Sequence, residues 1–338
     1  MKRIVFFIAC LQWCCLTGFS QAPSATPAQK TIRNQLEARS LTMAPDLMAD
    51  QDPAGAGFSK ERLARIDELL KGYLSDDEIA GVSALIARNG KVVYQKAFGY
   101  SQDAIFRIAS QSKAVTSVAV MMLMEEGKFL LDDPVSRYIP EFSQVRVMKK
   151  FNEEDSTCTT VPAKREVTVR DLLTHTSGIG YAVIGSREAN AIYAKAGIPV
   201  GFEARPLKLA DKMKILAGLP LMHQPGERFT YGLNTDMLGY LVEVVSGKSL
   251  AEFFRERIFE PLGMKDTWFY LPEEKAGRLA DVYIEDASGK SVPMPRTGPA
   301  GYDRDYPLTG STYYSGGAGL VSTAWDYAVF MQMLLNGG

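Results

Sequence analysis

Ser110 and Lys113 stand three residues apart in Ser110-Gln111-Ser112-Lys113, at the head of a strongly apolar run. Positions i and i+3 of a helix share a face, so the two side chains come within reach of each other. A serine hydroxyl is a poor nucleophile until a base takes its proton. A lysine held in an apolar pocket loses stabilisation of its charge, its pKa falls, and it can serve as that base or as a proton relay. A helix N-terminus adds partial positive charge and free backbone N–H groups beside the attacking oxygen. Ser-x-x-Lys by itself occurs often by chance, and its position is what distinguishes it here. It follows Phe106-Arg107-Ile108-Ala109 and opens a segment, 110–126, that is apolar almost all round from Ala114 to Met124 and stops at Gly127. A helix without a polar face is expected to be buried and central.

Competing chemistries fail on spacing. The Gly-x-Ser-x-Gly elbow is absent, and the two histidines, His175 and His223, do not fall late in the chain where that fold needs one. There is no His-Glu-x-x-His, and two isolated histidines with one cysteine outside the leader make no zinc site. Ser246-Gly247-Lys248-Ser249 imitates the end of a P-loop, but Val242 stands where the first glycine must be. Each histidine reads as structural, having no nucleophile near it in sequence. Asp132-Asp133 and Glu153-Glu154-Asp155 read as solvated faces, and Cys158 as an incidental thiol. No metal or cofactor is expected.

The 38 basic against 39 acidic residues give a net charge of −1, which excludes the electrostatic footprint of a nucleic-acid or anionic-lipid binder. With 46% hydrophobic and 23% charged residues, the chain is a packed globular protein. Residues 1–21 read as a signal peptide: Lys2 and Arg3 precede an apolar stretch, 4–16, and small residues follow for cleavage. That stretch is shorter than the roughly 20 residues a bilayer span needs, and no later run is longer, so no integral membrane segment is expected in the mature, exported chain. Residues 22–57 read as a flexible tail or linker. Ser59 is a plausible N-cap for a helix presenting Leu63, Ile66, Leu69, Leu70 and Tyr73 on one face. Strands at 82–87 and 92–98 flank Asn89-Gly90, a type I′ hairpin turn.

From about 132 to 299 helical patterns dominate. Thr168-Val169-Arg170-Asp171 is a capping box opening a short helix, and a second helical run covers 234–245 and closes at Gly247. Residues 275–314 read as a long loop with short strands. Thr323-Ala324-Trp325-Asp326 is a further capping box, whose helix ends at Asn336-Gly337-Gly338. A lone hairpin is marginal in water and cannot cover an apolar central helix. Further strands are therefore expected beyond Gly338, and the 338-residue product is expected to be poorly folded or weakly active.

Phe106-Arg107-Ile108-Ala109-Ser110-x-x-Lys113 followed by Leu131-Asp132-Asp133-Pro134-Val135 resembles the serine β-lactamase-related superfamily, in the branch of class C β-lactamases, DD-peptidases and family VIII carboxylesterases. The segments 169–178 (with Leu173-Thr174-His175-Thr176-Ser177-Gly178), Pro261-Leu262-Gly263-Met264 and Gly316-Gly317-Ala318-Gly319-Leu320-Val321-Ser322-Thr323 agree in order. The resemblance covers about residue 58 to the end. It implies an α/β part (58–131 and about 300–338) with an all-α lobe (about 132–299), and it puts Tyr231 where the family's catalytic tyrosine belongs. Leu233 occupies the position of the family's Asn in Tyr-x-Asn, with Asn234 one residue later, while Tyr-x-x-x-x-Asp-x-Leu-Gly is similar to the family VIII esterases. The missing amide at 233 favours ester over β-lactam substrates. The third motif, which supplies a backbone donor to the oxyanion hole, is not found. Arg296-Thr297-Gly298 lies upstream of Gly316, between two prolines, a poor place for an internal strand.

The resemblance implies a serine hydrolase in which Ser110 attacks an ester or amide carbonyl and Lys113 and Tyr231 handle its proton, in either order. Asn234 and Gln111 are the candidate substrate-binding residues. The substrate would be a small ester, a β-lactam or a cell-wall peptide. The alternative is a relative that binds penicillin or cell-wall peptide without turnover.

Overall fold

A computed structural model describes Leu47 and residues 52–338, apart from 203, 297 and 299–301. The leader at 1–21 and most of the tail at 22–57 lie outside the described residues. Order nevertheless reaches further back than Ser59. Leu47 is buried against Val92 and Ala328, and a turn at 53–57 closes with Phe58 N–H donating to Pro53 O. A single docked leucine leaves no periodic trace in a sequence, so this contact was not expected.

Ser59 caps helix α1 (Lys60–Ser75), its hydroxyl accepting from Arg62 N–H. Of the expected apolar face only Leu63 is buried, while Leu69 and Tyr73 are 56% and 40% exposed. Strands β1 (Val82–Arg88) and β2 (Lys91–Phe98) pair antiparallel, and Asn89 and Gly90 take φ of 54° and 75°, as a type I′ turn requires. Strand β3 (Phe106–Arg107) leads into the Ser110 region. The Arg107 guanidinium donates to three carbonyls, those of Ala280, Arg304 and Tyr306, each at 2.7 Å, and so ties this strand to a loop almost two hundred residues away.

The apolar segment does not begin as the single helix expected from Ser110. Ala109–Gln111 is a 3₁₀ turn, and α2 (Ser112–Glu125) follows it. Nor is α2 apolar where it is most buried. Ser112 and Thr116 lie inside with Val115, Ala119, Val120 and Leu123, while Met121 is 36% exposed. The inward polar groups have specific work. Ser112 Oγ accepts from Leu320 N–H at 3.0 Å, and Thr116 Oγ1 donates to Gly316 O at 2.7 Å.

Where helices alone were expected, strands β4 (Arg146–Asn152) and β5 (Thr157–Pro162) form a second hairpin. A register shift between Met148 and Lys150 breaks the period of two that would have marked β4, and Glu153-Glu154-Asp155 is its turn. Helix α3 (Val169–Leu173) has its capping box, with Thr168 Oγ1 accepting from Asp171 N–H and Asp171 accepting in return from Thr168 N–H. Helices α4 (Arg187–Lys195) and α5 (Leu209–Ala217) follow, then α6 (Asn234–Ser246), closed by Gly247 at φ 71°. The P-loop imitation at 246–249 is the joint between α6 and α7 (Leu250–Phe254), where Ser249 makes a capping box with Glu252.

After α8 (Glu260–Leu262) comes the long loop, which carries β6 (Tyr283–Glu285) and β7 (Ser291–Pro293) paired with each other. Strand β8 (Val321–Ser322) pairs antiparallel with β3, and α9 (Ala324–Leu335) ends the described chain. Thr323 caps α9 by accepting from Asp326 N–H, but the box is not reciprocal. The Asp326 carboxylate accepts instead from Asp266 N–H and Thr267 Oγ1, which ties the segment after α8 to α9. At the centre α2 packs on α6, whose first nine residues are all buried. Val115, Ala119, Met237, Leu238 and Leu241 belong to one apolar cluster, in which each buried Val, Leu or Met contributes about 1.5–3 kcal/mol relative to an exposed one.

Candidate active site

Three of the five sequence-derived residues meet at one point. Ser110 lies in the 3₁₀ turn and Lys113 in the first turn of α2, and the i, i+3 spacing still brings the two side chains onto one face across that join. Lys113 Nζ donates to Ser110 Oγ at 3.1 Å and to Gly317 O at 2.7 Å. Ser110 Oγ and Tyr231 OH are 2.7 Å apart, and the lysine ammonium lies 4.9 Å from the centre of the Tyr231 ring. Ala109, just before the serine, sits in left-handed backbone at φ 45°, a conformation that costs an alanine free energy and recurs where a side chain is held out for function.

The glycines of 316–319 are explained by what they approach. A Cβ on Gly316 would stand 2.6 Å from Thr235 O. One on Gly317 would stand 2.4 Å from Asp236 Oδ2 and 3.6 Å from Lys113 Nζ. Asp236 is wholly buried and clamps this loop onto α6. Ser315 Oγ donates to its Oδ1 at 2.5 Å, and the Ser315 hydroxyl in turn accepts from Ala318 N–H. Burial pushes the Asp236 carboxyl above the usual carboxylate range, against the opposing pull of the Ser315 hydroxyl, the Lys113 charge and the Gly317 N–H.

Two rings stack nearly parallel to Tyr231. Tyr181 stacks on it at 5.9 Å and 2°, and His175 at 5.3 Å and 14°; beyond His175 lies Phe229, 5.7 Å away and 64% exposed. Burial, and then the Lys113 charge, push the His175 imidazole down to about 4. His223 stands apart, with its ring nitrogens bonded to Gln224 O and Thr230 Oγ1.

The two candidate substrate-binding residues fare differently. Gln111 is exposed beside Ser110, with its carbonyl accepting from Tyr327 OH at 3.1 Å. Asn234 is fully buried and does not reach the open face. Its Oδ1 accepts from Ser177 Oγ at 2.5 Å, and its Nδ2 faces His175 Nδ1 at 3.1 Å and Ile179 O at 3.4 Å. The Asn234 amide thus faces Ser177, His175 and Ile179 inside the protein, whereas the sequence reading expected it to contact substrate. Leu233 is equally buried and packs in the core. Sequence reasoning missed Tyr181 and the placement of His175. The signal available for His175 was its presence in the Thr174–Gly178 run, set aside because no nucleophile lies near it in sequence.

Among the described residues no helix is long and apolar enough to cross a membrane, and no three His, Cys, Asp or Glu side chains group to hold a metal. Chemically, the arrangement is a hydroxyl in contact with both an amine and a phenol, suited to proton removal from the serine and proton return to a leaving group.

Protein Rv1367c of Mycobacterium tuberculosis is 34% identical over 269 residues, covering 77% of this chain, and the chain spans 63% of that relative's length. Esterase EstB of Burkholderia gladioli is 32% identical over 298 residues, covering 82% of this chain and 71% of EstB. The solved structure of EstCE1, described as a hydrolase with promiscuous acyltransferase activity, superposes with a TM-score of 0.67 at 30% identity, covering 80% of this chain and 71% of that one. The Beta-lactamase family model matches residues 66–338, and on that match and these likenesses the chain belongs to the beta-lactamase family of serine hydrolases.

Proposed function

We propose that this chain is an exported serine hydrolase that cleaves ester or amide carbonyls through an acyl-enzyme, with esters preferred. Ser110 attacks the carbonyl, Lys113 and Tyr231 take and return its proton, and the Ser110 N–H provides one half of the oxyanion hole. The acyl group stays on Ser110 Oγ until water releases it. The observation that carries this reading is the contact of Ser110 Oγ with both Tyr231 OH and Lys113 Nζ, at 2.7 and 3.1 Å. Three features favour esters over β-lactams and D-alanyl peptides. Position 233 is a buried leucine instead of an amide, the exposed rim at Phe229 beside the site is apolar, and EstB is named an esterase. Gln111, exposed next to the serine, is the residue left to contact substrate. The leader sequence at 1–21 supports export.

The test is covalent labelling with a fluorescent fluorophosphonate, compared between wild type and Ser110→Ala. Loss of label in the variant supports the reading, and retained label overturns it. Rates on p-nitrophenyl butyrate and on a chromogenic cephalosporin, measured side by side, decide the substrate preference. Binding of a fluorescent penicillin without turnover of either substrate would instead favour a non-catalytic binding protein.

A further inference from the structure

We propose that His175 is a positioning residue, a neutral imidazole whose stack on Tyr231 aims the phenol at Ser110. This rests on the reading of Ser110 and Tyr231 given above. The Tyr231 ring lies nearly parallel to those of His175 and Tyr181, with Phe229 beyond His175, while its phenol oxygen meets Ser110 Oγ at 2.7 Å. The orientation of the imidazole is fixed from behind by a chain of donors. Asn234 Nδ2 donates to Ile179 O at 3.4 Å, which turns Oδ1 toward Ser177 Oγ, and the Ser177 hydroxyl donates to it while accepting from Ile179 N–H at 3.0 Å. That leaves Asn234 Nδ2 as the donor to His175 Nδ1, and Gly232 N–H points at the same nitrogen from 3.4 Å. Nδ1 is therefore an acceptor, and the ring proton sits on Nε2.

His175 itself is in left-handed backbone at φ 55°, a conformation uncommon among residues other than glycine but enriched for asparagine, aspartate and histidine. The titratable groups facing the ring are the Tyr231 phenol and the Lys113 ammonium. A second cation stacked under the phenol would compete with Lys113 for it, and burial keeps the imidazole uncharged. The buried Asn234 and Ser177 thus prop the half-buried His175 beside the tyrosine.

Two substitutions separate the ring from its acceptor. His175→Phe keeps a stacking ring but loses the acceptor. His175→Asn keeps an acceptor, suits left-handed backbone and loses the ring. The readout is the pH profile of fluorophosphonate labelling, with saturating rate and half-saturation measured separately on the full chain. If stacking aims the phenol, the Asn variant loses about 10- to 100-fold in saturating rate with unchanged half-saturation, because misplacement of a reacting group by about 1 Å costs that much. The Phe variant then stays within about threefold of wild type, since the ring that sets the geometry is retained. Equal losses in both variants, no loss in either, or the reverse order overturns the proposal.

Ring-labelled NMR on wild type gives a readout independent of activity, and the chain has only two histidines to assign. His175 is expected neutral at pH 7 with its proton on Nε2; an imidazolium, or a proton on Nδ1, overturns the proposal. Label retained in Ser110→Ala marks failure of the underlying reading. Normal loss of label there, with a wild-type profile in His175→Asn, marks failure of this inference alone.

Discussion

Replacing Gly317 with alanine puts a methyl group into a gap of the site too narrow for it. Its carbon would stand 2.4 Å from Asp236 Oδ2, about 1 Å inside an ordinary contact. The carboxylate has little room to retreat, because it is wholly buried and bonded to Ser315 Oγ at 2.5 Å. The loop must move instead, carrying the Gly317 carbonyl away from Lys113 Nζ. A 2.7 Å hydrogen bond lengthened by about 1 Å lies outside the range of N–H···O bonding. Lys113 then loses one of its two oxygen acceptors and its fixed direction toward Ser110. We expect a stability loss of about 1–3 kcal/mol from overpacking. Labelling by fluorophosphonate should slow about 100-fold, equivalent to about 2.7 kcal/mol in the barrier. The assay is the saturating labelling rate, read alongside a thermal melt that establishes a cooperative fold. A folded Gly317→Ala protein that labels within threefold of wild type would refute the claim that this carbonyl sets the lysine.

Gly72 is the matching control: it lies within α1, nothing would stand within 4 Å of an added Cβ, and Gly72→Ala should raise stability by about 0.5–1 kcal/mol in urea melts without changing labelling. Asp171 receives both Arg165 nitrogens, at 2.6 and 2.9 Å, and the Thr168 cap. Asp171→Ala should lower stability by about 2–4 kcal/mol, seen as a lower urea midpoint. The His175 imidazole is held at about 4 against an ordinary 6.5, so between those values the unfolded chain binds more protons. Its contribution is complete above pH 6.5 and is lost as pH falls through 4, worth about 2 kcal/mol after allowing for the ring's partial exposure. The buried Asp236 carboxyl, shifted upward, acts in the opposite sense, losing stability as pH rises above the ordinary carboxylate range. The difference in melting temperature between wild type and His175→Phe, followed from pH 7 to 4, isolates the histidine; a difference independent of pH would refute its assigned charge state.

Much of the site was legible because its determinants are local. Ser110 and Lys113 are three residues apart, Asn89-Gly90 is a two-residue turn, and Thr168 with Asp171 is a self-contained cap. What escaped was set by contacts between distant segments. Thr116 and Ser112 looked like interruptions of an apolar helix, yet they are the groups that bond the glycine segment. Asn234 looked available until the fold enclosed it between Ser177 and His175. Asp326 looked like half of a capping box, but its carboxylate serves Asp266 and Thr267. The β4–β5 hairpin was hidden by a register shift that erases alternation.

The three-carbonyl grip of Arg107 has a temporal meaning. A ribosome delivers residue 107 long before 280, 304 and 306, and Lys113 long before Gly317. Closing loops of that length is entropically slow, so such contacts form late. Until they do, the turn bearing Ser110 lacks its anchor and Lys113 lacks an acceptor. On the proposed reading of Ser110, a nascent chain therefore carries an unarmed nucleophile, and competence arrives only when its distant partners have been synthesised and docked.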